Sequence, residues 1–457
     1  MNQKTELFEK TAVPKALATL AIPTIISQLI TMVYNLADTF FIGLTDDPYK
    51  VAASHLSFVL VFAMGAISNL FGVGGGSLIS RLMGSGKSAE AKKVSSFSFY
   101  GTVAVTLIYS MICLVFMHPV LNLVGASENT YGYASSYVIW VVVLGGVPTA
   151  VSMSLAHLLR SEGYAKFASL GLGMGGVLNI LLDPLFMFVL LPKGQEVAGA
   201  AIATCISNTA SCLYFLITLY VLKEKSVLSL SPKYLLPGFA YLKQVFSTGI
   251  PSALGSLLAS TSNLVLNQLS SSYGDFELAA LGIVKKIDML PLNVGMGLCQ
   301  GMLPLVAYNY ASGDHVRMKK VISACRIAGM GFAALCILCF ELFAGSIVRL
   351  FIQESVTASY GENFLRICCL ATPLMFYNLL ATYSLQAMGQ GKESMVLSVC
   401  RQGLVNIPLL FVMNAVFHLY GVVSTQLVAD SLTMIVSTVL LQRVYKKIKT
   451  PPAPKGA

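Results

Sequence analysis

Apolar runs long enough to cross a lipid bilayer recur along the whole 457-residue chain. An α-helix rises ~1.5 Å per residue, so about 20 apolar residues span the hydrocarbon core. The runs lie at about residues 16–44, 51–80, 95–117, 135–160, 167–191 and 199–222, and, after a polar connector, at about 243–272, 278–308, 321–344, 361–388, 394–417 and 420–443. We therefore predict an all-α, multi-pass membrane protein with twelve transmembrane helices.

The basic residues fix the predicted orientation. The chain is 56% hydrophobic and 11% charged, with a net charge of +10 that alone would also be compatible with nucleic-acid binding. However, 24 of the 30 Lys and Arg residues fall in the segments on one side of the twelve-span arrangement, four fall on the other side, and two lie within a span. Because basic loops stay in the cytoplasm, we predict a cell-membrane protein with both termini cytoplasmic and no nucleic-acid partner.

The two halves of the chain resemble each other. Ala21-Ile-Pro23 matches Gly249-Ile-Pro251, and Asn179 matches Asn406. Six helices return the chain to its starting side, so the two copies share one orientation. We predict two pseudo-symmetric six-helix bundles, at residues 1–222 and 243–446, with an inter-lobe loop at 223–242 and a cytoplasmic tail at 447–457.

One polar stretch interrupts the fifth apolar run, at Asn179-Ile-Leu-Leu-Asp183-Pro184. A carboxylate at this depth costs at least about 2.5–3.5 kcal/mol on insertion scales, which makes Asp183 a functional candidate. Asn179 shares its helix face, and Pro184 leaves the carbonyl of Ile180 without a donor. The stretch is typical of a cation or proton site, and a buried acid held by Asn179 for packing alone is the alternative.

A second acid, Asp38, lies in the first span four residues after Tyr34. Its structural alternative is a hydrated residue near a helix end. Thr204, in the small-residue stretch that opens the sixth span, is the third polar candidate, although packing alone also explains that stretch. Two nearby acids can exchange a proton or a Na⁺ ion with little change in their surroundings. The second half has no such acids, because Asp38 aligns with about Leu266 and Asp183 with about Leu410.

The C-terminal half offers a different set of polar candidates. Lys285 and Asp288 lie within the eighth span, where an internal ion pair and a cavity-lining role are both possible. Asn35 and its repeat partner Asn263, together with Tyr377, are further candidates for the substrate cavity or for coupling between the halves.

Enzymatic chemistry and cofactors are not expected. No span carries a metal-ligand pair or a Ser/His or Cys/His pairing. Gly84-Ser-Gly86-Lys87-Ser88 imitates the end of a nucleotide-binding loop, but Arg81 replaces the leading glycine and no strand precedes it. Without a nucleotide site, we expect an ion gradient to supply the energy for transport, with no metal beyond a Na⁺ ion at Asp38 and Asp183.

The chain resembles the multidrug and toxic compound extrusion (MATE) transporters, in particular the MepA-like bacterial multidrug exporters. The resemblance is carried by Asn179-x-x-x-Asp183-Pro184, Gly199-Ala-Ala-Ile-Ala-Thr204, Asn69-Leu-Phe-Gly-Val-Gly-Gly-Gly76 and Gln386-Ala-Met-Gly-Gln-Gly391. It implies a V-shaped fold of two six-helix lobes and multidrug efflux with antibiotic resistance. It also implies an N-lobe ion site, whose residues here are Tyr34, Asp38, Asn179, Asp183 and Thr204.

We therefore expect a monomeric antiporter that exports amphipathic, cationic small molecules in exchange for H⁺ or Na⁺. The alternative is a flippase for lipid-linked precursors, which needs a strongly cationic central cavity for a pyrophosphate. Only Lys285, Lys286 and Arg160 are available for such a cavity.

Overall fold

The computed structural model describes residues 3–235 and 238–449 of the chain, and the side chains from residue 6 to 448 within those ranges. It is almost entirely helical, with no strand in these ranges. Of the predicted cytoplasmic tail, residues 450–457 lie outside the described residues, as do residues 236 and 237 of the predicted inter-lobe loop.

Six long helical segments, labelled α1 to α6, form the first half of the protein. A short helix, Gln3–Glu9, precedes them, and another, Met117–Leu123, follows α3. The segments are α1 (Val13–Gly43), α2 (Pro48–Gly84), α3 (Ser88–Val115), α4 (Glu128–Val138, Ile139–Leu144 and Gly146–Ser161), α5 (Ala165–Pro184, continued by Leu185–Leu190) and α6 (Glu196–Val221).

Six further segments, α7 to α12, repeat this arrangement in the second half. They are α7 (Phe239–Ser271), α8 (Asp275–Ala311), α9 (His315–Arg349), α10 (Ser355–Cys369 and Thr372–Ala387), α11 (Gly391–Val399, Cys400–Leu404 and residues 406–417) and α12 (residues 419–449). The boundary between α11 and α12 is His418, whose φ of 52° and ψ of −137° interrupt the helical stretch Asn406–Lys449.

Proline residues break one span at the same place in each half. The two parts of α4 meet at 52° and the two parts of α10 meet at 43°. In each case a proline, Pro148 or Pro373, lies in the first turn of the second part. Proline suits a first helical turn because its missing N–H group has no intrahelical acceptor there. The paired bends support the internal repeat.

The segment lengths agree with a twelve-span protein. Among the described residues, eight helices are long and apolar enough to cross a membrane, or ten when each bent pair counts as one span. One of these, Gly391–Ile448, is 58 residues long and contains the His418 break, so it holds two spans. The remaining segment, α7, has 33 residues, which also exceeds the length of one crossing.

The two halves meet through α1 packed on α8 and α2 packed on α7. Gly249 of α7 lies so close to α2 that an added Cβ atom would stand 1.9 Å from the Leu70 carbonyl oxygen. At the ends of α2 and α8, Gly84 is likewise so close to Tyr308 that an added Cβ atom would clash with the Tyr308 carbonyl oxygen. These contacts are near the end of the molecule that carries the α2–α3, α4–α5, α6–α7, α8–α9 and α10–α11 loops, called here the basic end.

Candidate functional site

The fifth and sixth helices bring three of the predicted residues into direct contact. The Asn179 side chain donates from Nδ2 to Asp183 Oδ1 at 3.1 Å, one helical turn away, and to Thr204 Oγ1 at 3.2 Å. Asp183 is fully buried and Asn179 is 3% exposed. One amide therefore connects the carboxylate of α5 to the hydroxyl of α6, which the sequence spacing alone does not require.

The first helix adds Asp38 and Tyr34 to the same cluster. The charges of Asp38 and Asp183 interact with each other, and both interact with the Tyr34 phenol. The Tyr34 ring lies against Gly176 of α5, where an added Cβ atom would stand 3.1 Å from Tyr34 Cδ1. The structure thus gathers Tyr34, Asp38, Asn179, Asp183 and Thr204 in one place within the first half.

Tyr137 also belongs to this cluster, although the sequence did not single it out. It is 2% exposed and lies at the end of the first part of α4. Its phenol interacts electrostatically with Asp38, Tyr34 and Asp183. The six side chains therefore come from α1, α4, α5 and α6, so a change in the cluster reaches four helices of this half.

Three oxygen atoms of the cluster lack a hydrogen-bond donor among the described residues. They are Asp38 Oδ1, Asp183 Oδ2 and Asn179 Oδ1, and each is buried. Buried polar atoms are normally paired, so unpaired acceptors concentrated in one cluster require an explanation. All three are hard oxygen atoms, the type of ligand that suits a proton or a Na⁺ ion.

The helices that carry the cluster also contain irregular turns. A π-helical turn, Leu185–Leu190, follows Pro184 directly, and another, Ile139–Leu144, follows Tyr137 and Val138. Such turns are rare and occur preferentially at functional sites because they leave backbone groups with altered partners. The α-helical part of α5 ends at Pro184.

The other predicted residues lie in three separate places. Asn35 adjoins Tyr34 and its side chain interacts with that phenol. Asn263 and Lys285 line a pocket of the second half, and Asp288 interacts with Lys285. Tyr377 lies apart from that pocket, with its hydroxyl 3.0 Å from Thr438 Oγ1 between α10 and α12.

Arg401 corrects one detail of the charge assignment. Its position in the sequence predicts a loop residue, but its Nε atom lies 2.8 Å from Asp430 Oδ1. Asp430 also accepts hydrogen bonds from Asn378 and Gln426. Arg401 therefore belongs to a buried ion pair between α11 and α12, and it is not evidence for the orientation of a loop.

Arg160 connects the two halves near the basic end. Its Nη1 atom donates to Gln300 Oε1 of α8 at 3.2 Å and its Nη2 atom donates to Ser27 Oγ at 3.4 Å. Arg160, Gln300 and Tyr383 line a small cavity between the halves. Glu162 accepts hydrogen bonds from the Ser226 hydroxyl and the Val227 backbone N–H, so it orders the segment that follows α6.

The described residues contain no group of three or more His, Cys, Asp or Glu side chains arranged to hold a metal ion. The first-half cluster has two carboxylates, supplemented by an amide, a hydroxyl and phenols.

Comparison with known proteins agrees with this architecture. The MatE family model matches residues 23–185 and again residues 251–412, with one match in each half of the chain. The chain is 33% identical over 434 residues to the multidrug export protein MepA of Staphylococcus aureus strain MRSA252, and 31% identical over 434 residues to MepA of Staphylococcus saprophyticus. In both comparisons the match covers 95% of this chain and 94% of the relative.

Solved structures show the same fold at lower identity. The outward-facing structure of a multidrug resistance MATE family transporter of the MOP superfamily superposes with a TM-score of 0.91, at 22% identity, over 99% of this chain and all of the other. The Vibrio cholerae MATE transporter VcmN superposes with a TM-score of 0.88, at 19% identity, over 95% of this chain and 97% of the other. With two family-model matches and a relative 33% identical over nearly its whole length, the chain belongs to the MatE family of membrane transporters.

Proposed function

We propose that this transporter exports amphipathic, cationic drugs across the cell membrane in exchange for H⁺ or Na⁺. The relatives that match it along nearly their whole length are named multidrug export proteins. We take residues 1–222 and 243–446 as the two lobes that move against each other, joined by the loop at 223–242. The loops and termini at the basic end then lie in the cytoplasm, in accordance with the distribution of Lys and Arg.

The observation that carries the proposal is the pair of buried carboxylates in the N-terminal lobe. Neither Asp38 nor Asp183 forms an ion pair with a basic side chain of the described residues, and each retains an oxygen atom without a donor. Two uncompensated acids at membrane depth are costly when both are ionised. A cation that binds between them offsets that cost, so the cluster favours uptake of one monovalent ion.

The ion changes the contacts that hold the lobe together. When Asp183 binds a cation, its carboxylate becomes a weaker acceptor for the Asn179 amide, which also contacts Thr204. Because α5 already has an irregular turn after Pro184, it can adjust there at lower cost than a regular helix. Entry of one ion down a membrane potential of ~100 mV supplies about 2.3 kcal/mol to this change.

We infer the state of the proposed transport cycle from the contacts between the lobes. The lobes close against each other near the basic end, through Gly249, Gly84 and Arg160. With the basic end in the cytoplasm, this state is closed to the cytoplasm and faces outward. Ion binding in the N-terminal lobe from outside would then accompany drug release.

The test is ethidium transport by the purified protein in proteoliposomes. A pH gradient and a Na⁺ gradient are imposed separately, which identifies the coupling ion. Asp183→Asn should abolish the gradient-driven transport. Asp46→Asn is the matched control, because it makes the same chemical change in the loop after α1, where Asn tolerates the φ of 50°.

Retained ethidium transport in Asp183→Asn would overturn the proposed coupling site. Absence of transport under either gradient in the unsubstituted protein, combined with binding of a lipid pyrophosphate in preference to ethidium, would favour the lipid flippase instead.

A further inference from the structure

The C-terminal lobe contains a pocket at the position that corresponds to the acid cluster. Asn406, the repeat partner of Asn179, donates from Nδ2 to Ser262 Oγ at 2.8 Å and to Gln426 Oε1 at 3.4 Å. These bonds join α11 to α7 and α12, just as Asn179 joins α5 to α6. The pocket lies between α7, α8, α11 and α12.

The charge of this pocket is opposite to that of the acid cluster. The two positions that correspond to Asp38 and Asp183 are Leu266 and Leu410, and both leucines line the pocket. Lys285 is the one charged residue that lines it within the described part of the chain. The repeat has thus kept the buried asparagine and lost both carboxylates, while α8 contributes a cation.

The Lys285 ammonium group has no close carboxylate partner. Asp288, three residues further along α8, interacts with it electrostatically, but no ion pair within 4.0 Å joins Lys285 to a described acid. Asn263 lies beside it on the pocket wall, and no hydrogen bond to another described residue occupies its amide. An ammonium ion and an amide N–H group on one wall provide two donors for an anionic oxygen pair.

We propose that this pocket binds the carboxylate of zwitterionic amphipathic substrates, with Lys285 supplying the charge and Asn263 a hydrogen bond. The pocket is small, so it accepts the carboxylate group alone, and the rest of the molecule lies outside it. The inference rests on the proposed export function for its biological use, but binding itself requires no gradient.

Rhodamine B and its ethyl ester form a matched pair of probes for the test. Both contain a xanthene cation, and only rhodamine B has a free carboxylate. Equilibrium binding is measured with the full-length protein in lipid nanodiscs, without a gradient. Lys285→Met should raise the Kd for rhodamine B about tenfold, which corresponds to ~1.4 kcal/mol, and change the Kd for the ester less than about twofold.

Lys286→Met is the control, since it removes the neighbouring charge of the same helix from a residue that does not line the pocket. An equal loss of rhodamine B affinity in Lys285→Met and Lys286→Met would mean that the combined positive charge of the region attracts the carboxylate without a specific site. That result would overturn the proposal. An equal loss for both probes in Lys285→Met would assign a structural role to Lys285 and would also overturn it.

The result is distinguishable from a failure of the antiport proposal. If Lys285→Met binds rhodamine B as tightly as the unsubstituted protein does, the pocket does not bind the carboxylate. This conclusion holds even if an ion gradient drives ethidium transport. If neither gradient drives ethidium transport, antiport is wrong, and a selective loss of rhodamine B binding in Lys285→Met still establishes the pocket.

Discussion

Arg317 of α9 holds the backbone of Phe8, a residue of the opposite half of the chain. Its Nε atom donates to the Phe8 carbonyl oxygen at 2.7 Å, and its Nη2 atom donates to the Thr11 carbonyl oxygen at 2.5 Å. The Phe8 ring is fully buried and stacks on Tyr308 of α8 with ring centroids 4.8 Å apart. The short helix Gln3–Glu9 thus connects the first half of the protein to the basic end of the second half.

Removal of the Arg317 guanidinium should release this helix. Hydrogen bonds from a charged donor contribute about 1.5–3 kcal/mol each when buried, and partial exposure of Arg317 reduces this. For Arg317→Ala we expect the free energy of opening of this helix to fall by roughly 1–2 kcal/mol in total, which corresponds to a five- to thirtyfold increase in the population of its open state. Amide hydrogen exchange over residues 3–11 measures that population.

Lys320→Ala removes an exposed basic residue of the same helix and serves as the control. Unchanged exchange over residues 3–11 in Arg317→Ala would show that the Phe8 ring alone fixes the helix.

The close approach of α7 to α2 depends on Gly249. A methyl group there would lie 1.9 Å from the Leu70 carbonyl oxygen, a contact that no small side-chain movement relieves. Overpacking of this kind costs about 1–3 kcal/mol. Gly249→Ala should therefore move the lobes apart near the basic end, with spin-label distances across the α2–α7 contact lengthened in a substantial fraction of molecules.

The control is Gly331→Ala, because an added Cβ atom at Gly331 meets no atom within 4 Å. Identical distance distributions for Gly249→Ala and Gly331→Ala would refute the packing argument.

The spans themselves were predictable, because each apolar run is bounded by charged or turn-forming residues. For α5 the sequence indicated about 167–191, and the helical segments cover 165–190. The helices extend about a turn beyond several runs, since their polar ends remain helical outside the apolar region. What the sequence does not encode locally is contact between distant helices.

Tyr137 and Arg401 illustrate that limit. Tyr137 lies about a hundred residues from Asp38 in sequence, and nothing in its own segment distinguishes it from other aromatic residues. Arg401 follows the α10–α11 loop closely, so its position predicts a loop charge, whereas its partner Asp430 is 29 positions further along. Pairings of this kind are set by the packing of α11 on α12.

Thr204 should affect the acid cluster through its hydroxyl alone. Thr204→Val keeps the shape of the side chain and removes the acceptor of the Asn179 amide, at a cost of about 0.5–1.5 kcal/mol. We expect several-fold weaker ion binding, measured as the shift in ion concentration that half-saturates ethidium transport. Thr204→Ser retains the hydroxyl and should behave like the unsubstituted protein, and equal shifts in both variants would exclude a role for the hydroxyl.

The ion pair between Arg401 and Asp430 should contribute strongly to the stability of the C-terminal lobe. Asp430 is fully buried, so Arg401→Met leaves an uncompensated charge that retains only the Asn378 and Gln426 amides as donors. Breaking a buried pair on one side costs about 3–5 kcal/mol, and the amide donors favour the lower value of about 3 kcal/mol. Thermal unfolding of the detergent-solubilised protein measures the loss.

A second substitution distinguishes the lost pair from the lost arginine side chain. In Arg401→Met combined with Asp430→Asn, the buried charge is absent, so we expect much of the stability to return. Arg366→Met provides the surface comparison, because the Arg366–Glu362 pair at 2.7 Å is solvent-exposed and should contribute less than about 1 kcal/mol. If the double variant is no more stable than Arg401→Met, the contribution of Arg401 comes from its packing against α12, and the charge of Asp430 is compensated by its amide donors.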